Sequence, residues 1–172
     1  MNRTELISAL LSADEEASML IQGNQRIKVV IVGGGAFVIK NLITRQTIDI
    51  DTIGLYRGLE EVFNKYNINS NANAFSDSIA YNYEDRLEKM NLETKIIDYY
   101  TMSLEDMVIM KLFSVRLKDK NDIRSPEVLA NLNWDKLDKI IKDGELKYTF
   151  NERNYQDFLN RYNEYIKECK KS

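Results

Sequence analysis

The stretch that decides the fold is Gly33-Gly34-Gly35-Ala36, followed by Arg45-Gln46-Thr47-Ile48-Asp49-Ile50-Asp51. Ahead of it, Ile27 to Val32 is a short β-branched apolar run that ends on the glycines, which predicts a buried strand. A strand that turns through glycines into a helix lets backbone come close to a phosphate and aims N–H groups at it. Residues 47–55 alternate polar and apolar, the period of a strand. On such a strand Asp49 and Asp51, two residues apart, share one face. Two carboxylates on one face repel unless a cation or water lies between them. Mg²⁺ commonly uses one or two carboxylates plus substrate phosphates.

Working outward, residues 4–22 suggest one or two short amphipathic helices. The segment 36–42 reads as a short helix, 56–66 as a helix and the Asn-rich piece Asn67 to Asn73 as a loop. Residues 83–90 read as helical and 93–100 as another strand. Ser103 opens a strong helix, with its side chain placed to cap the first turn and Asp106 at the capping-box spacing. Further amphipathic helices are expected over 120–132, 134–142 and 152–169. The chain is therefore expected to be α+β. It would be a single domain over 1–172, with a core over about 28–100 and a helical part over about 103–172.

Composition narrows the chemistry. The 172 residues are 44% hydrophobic and 30% charged, a globular balance. Net charge is -3, so a chain-wide basic field for nucleic acid is absent, though a local basic patch is not excluded. The chain has no histidine, which removes imidazole acid–base catalysis and zinc–imidazole sites. One cysteine, Cys169, permits no internal disulfide. The N-terminus lacks a basic segment followed by a long apolar run, and no stretch reaches the length of a membrane span. A cytoplasmic protein with no membrane contact is the expectation.

The paired motifs resemble those of nucleotidyltransferase-fold proteins, in which a glycine pair precedes an Asp-x-Asp strand. More narrowly, they are similar to the AbiEii-type toxin nucleotidyltransferases of bacterial abortive-infection systems and their uncharacterised bacterial relatives. Those share Gly-Gly-x-Ala, then Arg-x-Ser/Thr-x-Asp-Ile-Asp, then a later helix with a lysine and an Arg-x-x-Asp-x-x-Asp run. This chain supplies Lys111, then Arg116-Leu117-Lys118-Asp119-Lys120-Asn121-Asp122. The resemblance covers roughly residues 28–130. It implies a nucleotidyltransferase fold, a short mixed sheet flanked by helices with a helical C-terminal half.

The resemblance also implies roles. Gly33, Gly34 and Gly35, with Arg45, Thr47 and Arg116, would bind the nucleotide. Asp49 and Asp51 would hold Mg²⁺ or Mn²⁺ and carry catalysis together with Lys111 and Asp119. Lys111 would contact phosphate or activate the acceptor, and Asp119 and Asp122 would anchor the second motif or assist. Asp98, mid-strand, is the candidate third metal carboxylate, with a lysine or solvent as its alternative partner. The implied partners are an NTP, a tRNA or protein acceptor and an antitoxin. Many active members carry Ser or Thr where Gly35 stands here. A catalytically weak or inactive nucleotide-binding or interaction protein that retains the fold is therefore the alternative reading.

Each residue also has a plain structural reading. Arg45 could pair with Asp49 or a nearby acid. Lys111 could be a snorkelling surface lysine, and Arg116, Asp119 and Asp122 could be helix-surface ion pairs. A dinucleotide-binding reading of Gly33-x-Gly35, with Asp49 or Asp51 at about the distance of the ribose-binding acid, ranks last because the third fingerprint glycine position is Val38.

Overall fold

Ile27–Val32 forms the central strand, β1, with its last four residues buried. The structure is a computed structural model; it describes residues 1–54, 56–70, 76–143, 146 and 151–171. These fall into two units, Met1–Ala74 with Leu87–Met102, and Phe75–Arg86 with Ser103–Ser172. The first holds the sheet and the second is helical.

In the first unit β1 is flanked by β2 (Ile50–Ile53) and β5 (Ile97–Thr101). β3 (Ile68–Ser70) and β4 (Glu88–Lys89) stand at the edges, giving the order β3-β2-β1-β5-β4. β2 runs antiparallel to β1, and β5 runs parallel to it. β3 is parallel to β2, and β4 is antiparallel to β5. The sheet is thus mixed, and the α+β class read from the sequence holds.

Three helices complete this unit. α1 (Arg3–Leu20) is one continuous helix rather than two short ones. Asn2 and Glu5 close a capping box at its start, satisfying two of the donors a helix N-terminus leaves over. Its buried positions Leu6, Leu10, Ala13, Asp14 and Ala17 follow the helical repeat. α2 (Gly33–Ile39) begins on the glycines themselves and packs on β1 and β2. α3 (Glu60–Lys65) packs beside β3.

Asp14 is a buried polar anchor within this packing. Its Oδ2 accepts the Lys95 N–H at 2.7 Å, and its Oδ1 accepts those of Ile96 and Ile97 at 3.0 and 2.8 Å. These are the amides that lead into β5, so one carboxylate ties the strand's start to α1. Tyr99 adds a second tie by donating its hydroxyl to the Leu10 carbonyl at 2.8 Å.

Several boundaries differ from the sequence reading. β2 covers only 50–53 of the expected 47–55, and Leu55 lies outside the described residues. Thr47 leaves the ladder because its backbone exchanges hydrogen bonds with Met1, while its hydroxyl donates to the Asp49 carbonyl at 3.1 Å. A local side-chain bond of this kind competes with strand pairing. The Asn-rich segment, read as a loop, contributes β3, because Ile68 is buried against β2; residues 71–73 lie outside the described residues. Residues 83–90, read as helical, form a single 3-10 turn at Tyr83–Arg86 followed by β4.

The helical unit is built on α4 (Leu104–Phe113), against which α5 (Leu117–Asp122), α7 (Trp134–Lys142) and α8 (Glu152–Cys169) pack. Ser103 caps α4 as expected, accepting the Asp106 N–H at 3.2 Å. Arg161 of α8 donates to the Leu112 carbonyl at 2.6 Å, meeting one of the acceptors that the end of α4 leaves over. The expected helix 120–132 is two helices, α5 and α6 (Pro126–Asn131). Pro126 has no N–H to donate and disfavours helical backbone at Ser125. Ser125 instead caps α6.

Candidate functional site

The candidate site forms where β1 ends. Val32, its last residue, lies opposite Asp51 of β2 in the sheet register. The chain turns at Gly33 with φ +64, a conformation that glycine adopts without steric cost. A Cβ placed there would stand 3.0 Å from Asp51 Oδ2, so the carboxylate lies directly against the bare glycine. A Cβ on Gly34 would meet Arg45 Nη2 at 3.0 Å and Thr47 Oγ1 at 3.4 Å. The structure therefore brings Gly33, Gly34, Arg45, Thr47 and Asp51 into one cradle, with two backbone positions kept clear of side chain.

Gly35 looks elsewhere. A Cβ there would point at the Asp49 carbonyl, the Ile50 Cα and the Ile31 side chain, each at 3.7–3.8 Å. A Ser or Thr at this position would set its Cβ on the β2 backbone rather than against Arg45 and Thr47.

Asp49 sits in the bend just before β2, not within the strand. The same-face argument from strand alternation does not apply to it, and a third residue supplies the placement. Asn69 of β3 pairs with Asp51 in the register, so the two side chains share a face. Asn69 Nδ2 donates to Asp49 Oδ2 at 2.8 Å, which carries the Asp49 carboxylate to that face. Asn69 was not singled out in the sequence because it sits in an Asn-rich run. Only the β2–β3 pairing distinguishes it.

Asp98 does not join the pair. It stands opposite Lys28, four residues before the end of β1, or about 13 Å away along a strand. There Arg26 Nη2 and Lys89 Nζ contact its Oδ1 at 2.8 and 2.9 Å. The Arg26 hydrogen bond, and then that of Lys89, hold the Asp98 carboxyl below the usual aspartate range. The β1–β5 register gives this residue an arginine and a lysine as partners.

Among the described residues no group of three or more Asp, Glu or Cys is placed to hold a metal. The donor set near Gly33 is two half-buried carboxylates, Asp49 and Asp51, and the Thr47 hydroxyl stands by Gly34 and donates to the Asp49 backbone carbonyl. That set fits Mg²⁺, which keeps water and phosphate oxygens as its remaining ligands.

The second motif lies in the helical unit. Lys111 of α4 is 5% exposed, so the snorkelling reading does not hold. Its ammonium donates to Asp119 Oδ1 and, at 3.0 Å, to Asp122 Oδ2, both on α5. Asp119 Oδ2 also accepts from Ser114 Oγ and Arg116 Nε, each at 2.6 Å. Asp119 and Asp122 are both buried, so this is a buried network rather than a set of surface pairs.

The fold and the site define an α+β protein of the nucleotidyltransferase type. The chain belongs to the family described as "Nucleotidyltransferase of unknown function (DUF6036)", whose model matches residues 8–170. Comparison with curated proteins gave no match. Comparison with solved structures gave none either.

Proposed function

We propose that the protein transfers a nucleotide from an NTP to a hydroxyl on RNA or protein, with Mg²⁺ or Mn²⁺ held by Asp49 and Asp51. The observation that carries this reading is the cradle: Gly33 against Asp51, and Gly34 against Arg45 and Thr47. Bare glycines let the triphosphate approach the backbone. The Arg45 guanidinium supplies forked donors suited to phosphate. Asn69 orients Asp49, and the Asp51 carboxylate is set by its place on β2. Asp49 and Asp51 would hold the cation, which would supply charge neutralisation as the acceptor hydroxyl displaces pyrophosphate from the NTP. Lys111, Asp119 and Asp122 brace α5 against α4 in this reading, in preference to touching the nucleotide, because the ammonium is already taken by two carboxylates. The motif likeness to AbiEii-type toxins supports a place in a toxin–antitoxin or phage-defence system, with a tRNA end as acceptor and an antitoxin as partner.

One observation favours a second reading, a nucleotide-binding protein without turnover. Asp98, the only third carboxylate the sequence offered, is paired with Arg26 and Lys89. One experiment separates the two. The protein is incubated with each α-labelled NTP, Mg²⁺ and a tRNA pool, beside an Asp49→Ala/Asp51→Ala variant. Label that depends on both aspartates supports transfer. No label, with an NTP- and Mg²⁺-dependent rise in melting temperature, supports the second reading. No label and no such rise would sink both.

A further inference from the structure

A second cleft lies at the opposite end of β1 from the glycine turn. It has a volume of about 390 Å³ and is lined by Gln25, Arg26, Lys28, Gly54, Tyr56 and Arg57, among others. That size falls in the range of small-ligand sites. Its charged lining residues are Arg26, Lys28 and Arg57, with no carboxylate among them.

The cations differ in how far they are neutralised. Arg26 is fixed in place: its guanidinium bonds to the Thr94 hydroxyl and Asp98 at 2.8 Å and to the Lys95 carbonyl at 2.9 Å. Asp98 divides its single charge between Arg26 and Lys89. Lys28 lies 5.5 Å from the centroid of the Tyr100 ring, and among the described residues it forms no salt bridge. Arg57 is exposed and, among the described residues, has no carboxylate partner. Among the described residues, the three cations that line the cleft, Arg26, Lys28 and Arg57, engage one carboxylate, Asp98, which Arg26 shares with Lys89 outside the lining. In a chain of net charge -3, this is a local excess of positive charge inside a concavity. Like charges held together are costly unless an anion joins them.

We propose that this cleft binds a phosphate ester. The rigid Arg26 forms one wall, and Lys28 and Arg57 close on the phosphate oxygens from either side. Arginine and lysine are the side chains best suited to that group, through forked and point-charge contacts respectively. The cleft is distinct from the glycine cradle, since Lys28 is about 13 Å from Val32 along β1. The phosphate could be that of a small sugar phosphate or one within an RNA strand, and the two sources differ in the length of what is attached.

The test uses the full chain in chelator, so that no divalent cation bound near Asp49 contributes. Amide resonances are followed while ribose 5-phosphate, plain ribose or a twelve-nucleotide single-stranded RNA is added. Shifts at Arg26, Lys28 and Arg57 are expected with ribose 5-phosphate or RNA and not with ribose. The stronger ligand names the source. A Lys28→Gln/Arg57→Gln variant, both positions being exposed, is expected to keep the far-UV spectrum and lose about tenfold in affinity. Lys28→Arg is expected to retain binding, and Asp49→Ala to leave it unchanged. No shift at these amides with either phosphate ligand overturns the proposal. So does equal binding of plain ribose, or an unchanged affinity in the double variant. None of these readouts depends on nucleotide transfer.

Discussion

Gly33, the residue after β1, lies against Asp51 of β2: a Cβ on the glycine would stand 3.0 Å from the aspartate Oδ2. The glycine also has φ +64. Two separate physical reasons, backbone conformation and lack of room, therefore exclude a side chain at one position.

Gly33→Ala tests this directly. Left-handed backbone costs a non-glycine residue about 1–2 kcal/mol, and displacing Asp51 adds to it. The variant is expected to melt several degrees lower, read by calorimetry. Gly35→Ala is the matched control, because its Cβ meets neighbours only at ordinary contact distances. It replaces a helical glycine by the best helix former and is expected to be neutral or up to about 1 kcal/mol stabilising. Equal destabilisation by both would show that the Gly33 geometry is not what matters.

Asn69→Ala removes the donor that holds Asp49. Groups that orient a metal ligand typically contribute about 10–100-fold to metal affinity when lost. Mn²⁺ binding in the presence of NTP, followed by paramagnetic relaxation, is expected to weaken by at least about tenfold. Asn69→Asp places a carboxylate beside Asp49 and is expected to weaken the metal-free protein through like-charge repulsion. A full-affinity Asn69→Ala variant would mean that Asp49 is not a ligand.

What the sequence disclosed and what it hid divide along physical lines. The cradle was legible because its members lie within nineteen residues and each carries a local signature: glycines after an apolar run, then spaced acids. Ser103 was legible because capping is a contact of a few residues. The partners of Asp98 stayed open between a cation, a lysine and solvent because its neighbours are set by the β1–β5 register, which brings residues about seventy positions apart together. Asn69 and Asp14 were hidden for the same reason: each acts on a partner twenty or more positions away. Pro126 held the split between α5 and α6 in plain view, and amphipathic periodicity read across it.

Asp14→Asn isolates the tie between α1 and β5. The carboxylate accepts three backbone N–H groups through both oxygens, and an asparagine amide presents a donor to at least one of them. A buried N–H left without an acceptor costs about 1–3 kcal/mol. Urea unfolding is expected to show a free energy lower by that amount, read as a lower midpoint at an unchanged slope. A native midpoint would show that the strand's start is held by other contacts.

Lys111 and Asp119 give the pH-dependent prediction. Burial pushes the Asp119 carboxyl up, but hydrogen bonds from Lys111, Ser114 and Arg116, together with the Lys111 charge, outweigh it and hold the group below the ordinary aspartate value. A lowered folded value means the carboxylate contributes stability above the unfolded value, near ~3.9. That contribution is lost as pH falls below ~3.9 and through the folded value. Lys111→Met removes the ammonium that Asp119 and Asp122 share and leaves Asp119 with Arg116 and Ser114, and breaking a buried pair in this way costs about 3–5 kcal/mol near neutral pH. With the lysine gone, the burial of Asp119 is opposed only by its hydrogen bonds from Ser114 and Arg116, and protonation relieves the remainder. The gap between native and variant stability, measured by chemical unfolding from pH 7 to pH 3.5, is therefore expected to narrow as the pH falls. Lys111→Met/Asp119→Asn is expected to recover part of the loss at pH 7. A gap that stays constant with pH, or a double variant no better than the single, would mean that charge is not what couples α4 to α5.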